Sequence, residues 1–448
     1  MKKITALTVL SLAVLIAQSD IPSNIEFNLA EFTSNRELMY LVELPEDYDS
    51  TKSYPLVVGL QGYSGRPEHL EGKASFLIPE GAIGVYPQGL FGQDNHEERS
   101  LGYCWFHLGG SREEHFEFSD NSVRWIMQCI RTVMGDYPVD TSKIFLYGFS
   151  QGGIMSYTIG LAYPELFRGV IPGGAVLDAV VDSLYPLDSA VYDLSIQAFH
   201  GVHDRIISLE KGQRAVNTMD SLGIDATLLT YPVGHTVIPA MQEDARDFCY
   251  RQLYEGEVPL LEDLIYTKES MTSAEHAELL DKVLVVNEPV AEIADKLLAL
   301  FEVRGSPEIK EKVVYLLGAA RCSGTESFLI DIVNNRDNSQ SLRQAAHNAL
   351  AKLGTDEAWA SYEGIRYQVV VAEVAPESQA EELGLQPGDV ILSYNGVELE
   401  YERELRHAKS QVPRDADEVE MVIERDGKKR KLKLAPGSIG VHLTEEIR

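Results

Sequence analysis

Residues 143–153, Lys-Ile-Phe-Leu-Tyr-Gly-Phe-Ser-Gln-Gly-Gly, constrain the fold of this chain more than any other stretch. A short run of strand-forming residues ends at Tyr147, a Gly-x-Ser-x-Gly follows, and residues 154–162 suit a helix until Tyr163-Pro164 stops it. A strand, a sharp turn and a helix in immediate succession lift the hydroxyl of Ser150 above a sheet edge, at the positive end of a helix dipole. Gly148 and Gly152 are small because side chains there would strike neighbouring backbone. Ser150 is therefore a candidate nucleophile.

A serine hydroxyl is a weak nucleophile, so an imidazole must take its proton and a carboxylate must hold that imidazole's tautomer. Residues 195–200 form an apolar strand, and Asp204 stands in the loop beyond it. Residues 227–231 form another, followed by Pro-Val-Gly and His235. Ser150, Asp204 and His235 thus each follow a predicted strand, on the face where open α/β sheets carry their sites. His200 and His203 are rival bases in the Asp204 loop. Asp193 and Asp225 are rival acids that begin strands and so lie at the wrong edge. Residues 54–60 read as an inner strand of a parallel sheet, and Gln61-Gly62-Tyr63-Ser64-Gly65 follows at once. Glycines there leave room for backbone N–H groups to face an oxyanion. Residues 91–118, rich in aromatics and histidine, form a loop suited to line a substrate pocket, with Trp105 and Phe106 as its candidate walls. The histidines of that loop lack metal-ligand spacing. A helix is expected over residues 119–134, with Val123, Ile126, Met127, Ile130 and Val133 as its buried stripe.

Residues 54 to about 250 resemble the α/β-hydrolase superfamily. Gly-Phe-Ser-Gln-Gly-Gly at 148–153, Gly-x-x-Asp at 201–204 and Gly-His at 234–235 resemble its carboxylesterase/lysophospholipase family, as does Trp105-Phe106 ahead of the long helix. The resemblance implies hydrolysis of carboxylic esters or thioesters by Ser150, Asp204 and His235, with no metal or organic cofactor. It also implies an oxyanion hole made by the backbone N–H groups of Tyr63 and Gln151. Where family members usually carry His-Gly, this chain has Gln61-Gly62. Feruloyl esterases and polyhydroxyalkanoate depolymerases share much of the layout, and serine peptidases share the fold.

The 448 residues exceed one ordinary core, and their formal net charge of −30 argues against nucleic acid as a partner. Residues 1–19 read as a signal peptide: Lys2 and Lys3 precede an apolar run that ends in Ala-Gln-Ser. Export to the periplasm or medium is expected, with no transmembrane segment in the mature chain. Cys104, Cys129, Cys249 and Cys322 form no Cys-x-x-Cys pair, and export would permit a disulfide, with Cys104–Cys129 the first to test.

Amphipathic helices replace strands after about residue 256. Helices are expected over 273–286, 289–303, 307–319, 325–333 and 341–353, spaced like HEAT-type hairpins. Residues 361–445 resemble a bacterial-type PDZ domain, through Gly-Leu-Gln-Pro-Gly-Asp-Val-Ile at 384–391 and Asn395-Gly396. That resemblance implies capture of a peptide C-terminus by an exposed strand, with Tyr362-Glu363-Gly364-Ile365 as the candidate carboxylate loop, Gly364 and Ile365 at its centre. The expected architecture is an α/β-hydrolase sheet with flanking helices (20–255), a helical HEAT-like domain (256–358) and a small β-rich PDZ-like domain (359–448). The expected activity is that of an exported serine esterase acting on a small-molecule ester. A vestigial hydrolase fold serving a PDZ-based interaction protein is the alternative of another class.

Overall fold

The computed structural model describes residues 25–32, 36–93, 102–184, 194–254, 290–303, 306–413 and 416–448. The expected leader at 1–19, the helix at 273–286 and Asp193 lie outside the described residues. The chain divides into two compact units, residues 1–258 and 259–448.

The first unit is built on an eight-stranded sheet. In chain order its strands are β1 (Ile25–Phe32), β2 (Arg36–Glu43), β3 (Tyr54–Leu60) and β4 (Ile83–Pro87). A small hairpin, β5 (Phe91–Gln93) with β6 (Gly102–Cys104), stands apart from it. The sheet resumes with β7 (Val139–Phe149), β8 (Gly169–Gly173), β9 (Ser195–Gly201) and β10 (Asp225–Tyr231). The spatial order is β1-β2-β4-β3-β7-β8-β9-β10, antiparallel through β2–β4 and parallel from β4 onward. This is the α/β-hydrolase sheet expected from the motifs.

Parallel strands covered by helices on both faces must be apolar throughout, and β3 is: Leu56, Val57, Val58 and Leu60 are all buried. Each contributes about 2 kcal/mol through the water it sheds. Gly59 holds the register against β4's neighbourhood, because a Cβ there would lie 2.7 Å from the Tyr86 ring. Pairing of Leu60 with Gly148, Phe149 with Gly173, Gly173 with Phe199 and Tyr231 with Gly201 ends these strands at one rim. The loops after them therefore meet.

The long helix runs over Arg112–Asp136, seven residues earlier than its stripe suggested. Val123, Ile126, Met127, Ile130 and Val133 are buried as expected, joined by Trp125. Its first two turns carry aromatic and charged residues without an aliphatic stripe, so periodicity is silent there. The start is marked instead by a capping box: Glu114 N donates to Ser111 Oγ at 3.2 Å and Ser111 N to Glu114 Oε2 at 2.8 Å. All four cysteines are buried thiols without disulfides, and burial pushes those of Cys129 and Cys249 well up.

In the second unit, helices Val290–Val303, Pro307–Ala319, Glu326–Asn334, Gln340–Leu353 and Asp356–Gly364 bury Leu297, Ile309, Val313, Leu317, Leu329 and Leu350 in one core. Ser306, Ser339 and Thr355 cap three of them through their hydroxyls. A six-stranded antiparallel sheet follows, made of β11 (Tyr367–Val374), β12 (Val390–Tyr394), β13 (Val397–Glu398), β14 (Val419–Arg425), β15 (Lys428–Leu434) and β16 (Val441–Ile447). Arg343 joins the helices to this sheet, donating from Nε to Val333 O at 2.7 Å and from Nη1 to Ile447 O at 3.0 Å. Among the described residues no helix is long and apolar enough to cross a membrane.

Candidate active site

Ser150 joins β7 to the helix Gln151–Ala162 with φ 56° and ψ −120°, a strained combination for a residue with a side chain. Packing imposes it. A Cβ on Gly148 would lie 2.3 Å from Gly152 O, and one on Gly152 would lie 2.1 Å from Leu60 O. Ser150 N donates to Gly173 O at 2.8 Å, tying the turn to the neighbouring strand.

The structure brings Ser150, Asp204 and His235 together. Asp204 follows β9, where its Oδ1 accepts from Ile206 N at 2.8 Å and Ile207 N at 2.9 Å. Its Oδ2 lies 2.6 Å from His235 Nδ1, and His235 Nε2 lies 2.9 Å from Ser150 Oγ. With Nδ1–H donated to the carboxylate, Nε2 is the acceptor left facing the hydroxyl. The arrangement can move a proton from oxygen to imidazole and steady the imidazolium that results. His200 lies behind Asp204, with Nε2 2.7 Å from Ile207 O and 3.5 Å from Asp204 Oδ2, so it braces the acid loop and does not face Ser150. Asp225 is at the opposite end of β10, accepting from Ser195 Oγ at 2.9 Å. Motif spacing does not reveal two further neighbours. The Phe149 ring stands 4.8 Å from the His235 ring, and a Cβ on Gly174 would lie 3.4 Å from His235 Cε1.

Tyr63 and Gln151 flank Ser150 on separate elements. A turn closed by Gly65 N on Gly62 O at 3.0 Å carries Tyr63, whose side chain is exposed. The Gln151 side chain is buried and works as a strut, accepting from Trp105 N at 3.1 Å and donating to Phe106 O at 2.9 Å. Trp105 and Phe106 are corrections to the expected pocket walls. Trp105 is 0% exposed and Phe106 4%, both within the core. Trp105 Nε1 donates to Gln61 O at 2.7 Å, so this pair holds the loop after β3 from behind. A cavity of about 490 Å³ lies on another side, walled by Gly62, Lys73, Tyr147, Phe149, Val237 and Gln242.

In the second unit the expected carboxylate loop is also corrected. Gly364 ends the helix Asp356–Gly364 and Ile365 caps it, packed on the helical core. The helix was missed because Trp359 and Tyr362 hide its period among polar residues. A cavity of about 270 Å³ lies between β16 and the helix Glu402–Ser410, walled by Lys409, Ser438, Ile439, Gly440, Val441 and Leu443. Gly440, at φ 82°, turns the chain into that edge strand.

The sheet order, the strained serine turn and the loops that meet at its rim define an α/β-hydrolase. Residues 85–253 match the phospholipase/carboxylesterase family model, and residues 370–435 match the PDZ domain model. Acyl-protein thioesterase 1 of Gibberella zeae is 31% identical over 161 residues, covering 33% of this chain and 68% of that protein. The chain belongs to the phospholipase/carboxylesterase family, and its relatives include an acyl-protein thioesterase and feruloyl esterases. A probable feruloyl esterase C of Aspergillus terreus is 26% identical over 195 residues, and the match spans 40% of this chain but only 59% of that relative. The solved structure of SOBER1 from Arabidopsis thaliana aligns at 18% identity with a TM-score of 0.39, covering 44% of this chain and 99% of that one.

Proposed function

We propose that the chain is an exported serine esterase. His235 takes the proton of Ser150 as Oγ attacks an ester or thioester carbonyl, and Asp204 steadies the imidazolium. The backbone N–H groups of Tyr63 and Gln151 receive the oxyanion. The imidazolium returns its proton to the departing alcohol or thiol, leaving an acyl group on Ser150. Water, deprotonated by His235, then releases the acid and restores the serine. The observation that carries this reading is the hydrogen-bonded line from Asp204 Oδ2 through His235 to Ser150 Oγ, at 2.6 and 2.9 Å. The apolar leader at residues 1–19 supports export to the periplasm or medium. The test is Ser150→Ala on short para-nitrophenyl esters, together with fluorophosphonate labelling of the parent protein. Undiminished turnover in the variant, or no label on folded parent, would overturn the assignment.

The groove beside β16 supports a second role, the binding of an extended peptide that adds to that edge strand. Binding of a peptide with a free C-terminus but not of its amidated form is the expected result. Equal affinity for the two would remove carboxylate capture.

A further inference from the structure

The cavity walled by Gly62, Tyr147, Phe149 and Val237 also has the amine of Lys73 in its wall. Gly62 faces the serine, since a Cβ there would lie 3.5 Å from Ser150 Cβ. Phe149 precedes Ser150, and Val237 is two residues beyond His235. Along β7, Phe149 and Tyr147 are two apart and share a face, so the cavity follows the strand away from Ser150. Lys73, first residue of the helix Lys73–Leu77, sits at that end with Nζ 4.9 Å from the centre of the Tyr147 ring and 5.6 Å from that of Phe76. Two residues of strand place Tyr147 about 7 Å from Phe149, the residue before Ser150.

The only hydrogen bond recorded for Nζ among the described residues is to the neutral Gln242 Oε1, at 2.8 Å. Glu43, the carboxylate whose charge acts on Lys73, is already engaged: Oε1 accepts from Ser75 N and Oγ, and Oε2 from Tyr86 Oη. Glu71 and His69 stand at the cavity wall, and Arg246 lies over the far ring, Phe76, at 5.6 Å. Burial pulls the Lys73 ammonium down to about 8, against the raising effect of Glu43, so at neutral pH it remains mainly charged. A cation held by two rings and one amide, in the wall of a cavity that also reaches Gly62 and Phe149 next to Ser150, is a recognition group for an anion.

We propose that this cavity receives the acyl chain of the substrate and that Lys73 selects acyl groups ending in a carboxylate. The inference rests on the serine-esterase reading and adds the substrate class. An extended adipoyl chain places its carboxylate about 6 Å from the scissile carbonyl, on the scale of the about 7 Å that the strand advances from Phe149 to Tyr147.

The experiment compares the para-nitrophenyl monoester of adipic acid with para-nitrophenyl 6-methylheptanoate, its uncharged isostere. The parent protein is expected to prefer the charged ester in kcat/KM by about tenfold or more, the usual scale for a charged hydrogen bond. Lys73→Met removes the cation, and Gln242→Glu supplies an internal anion that occupies it. In each folded variant the charged-to-neutral ratio should fall about tenfold. A parent that hydrolyses the neutral ester without preferring the charged one overturns the inference and leaves the esterase reading standing. A ratio unchanged in either folded variant overturns it as well. Hydrolysis of neither ester by the parent overturns both.

Discussion

Gly152 and Leu60 meet backbone to backbone: a methyl group on Gly152 would come within 2.1 Å of the Leu60 carbonyl oxygen. The helix after Ser150 is thereby pressed onto the end of β3, and the oxyanion-side loop begins one residue further on. Neither partner is a flexible side chain, so the contact cannot yield cheaply. Gly152→Ala is expected to cost about 3 kcal/mol, near the upper end for overpacking. In a domain of this size that lowers Tm by about 6–12 °C. Thermal unfolding gives the first reading, and loss of fluorophosphonate labelling at temperatures where the variant stays folded gives the second.

Asp204 accepts three hydrogen bonds, from Ile206 N, Ile207 N and His235 Nδ1. Asp204→Asn keeps its volume but can present an amide N–H to the ring, which favours the wrong tautomer. A fall in kcat on the order of a thousandfold or more is expected, with little change in Tm. Steady-state kinetics beside a melting curve separates this from simple unfolding.

Gln151 spans from the serine turn to the backbone of Trp105 and Phe106. Gln151→Ala leaves a buried N–H and a buried carbonyl without that partner, at about 1–3 kcal/mol apiece. Its backbone N–H survives, so the expected signature is lowered stability with kcat reduced through a looser loop. Gln151→Glu is the informative companion. It keeps the acceptor for Trp105 N but sets a carboxylate oxygen against Phe106 O, so its stability should also drop.

His347 is buried against the Tyr362 ring, 4.1 Å away and nearly parallel, with Nδ1 2.8 Å from Tyr367 Oη. Burial pulls its imidazole down to about 4 from the ordinary 6.5, against the raising effect of its bond to Tyr362 O. The folded state thus resists the proton that the unfolded chain accepts. Its contribution is whole above pH 6.5, shrinks as pH falls toward 4, and loses no more below that. The loss amounts to about 3 kcal/mol across the window. Urea unfolding of the parent between those limits should show this slope, and His347→Phe should flatten it.

Much of the first unit is legible in the sequence. The elbow at Ser150 is local, because a strand, two glycines and a helix follow one another without interruption, and nearby sterics set its shape. Asp204 and His235 were legible through their positions after strands, since parallel strands with helical crossovers send those loops to one face. The helix start at Ser111 was written in its capping box, but the apolar period said nothing about it. The candidate carboxylate loop at Gly364 and Ile365 lies instead at the end of a helix, because an extended loop and a short helix rich in aromatics look alike in a linear pattern.

What the chain determines by itself is local chemistry and strand order: which serine is lifted from the sheet, which acid and imidazole follow strands, and where helices are capped. What only the tertiary structure decided is which side chains face one another across the fold. Lys73 and Gln242 lie 169 residues apart and meet at 2.8 Å, while Trp105, an expected pocket wall, turns wholly into the core. The reason is physical. Backbone sterics and capping act over a few residues and leave a mark in their spacing. Burial and long-range pairing depend on how the sheet's crossovers stack the helices around it, and no short pattern encodes that arrangement.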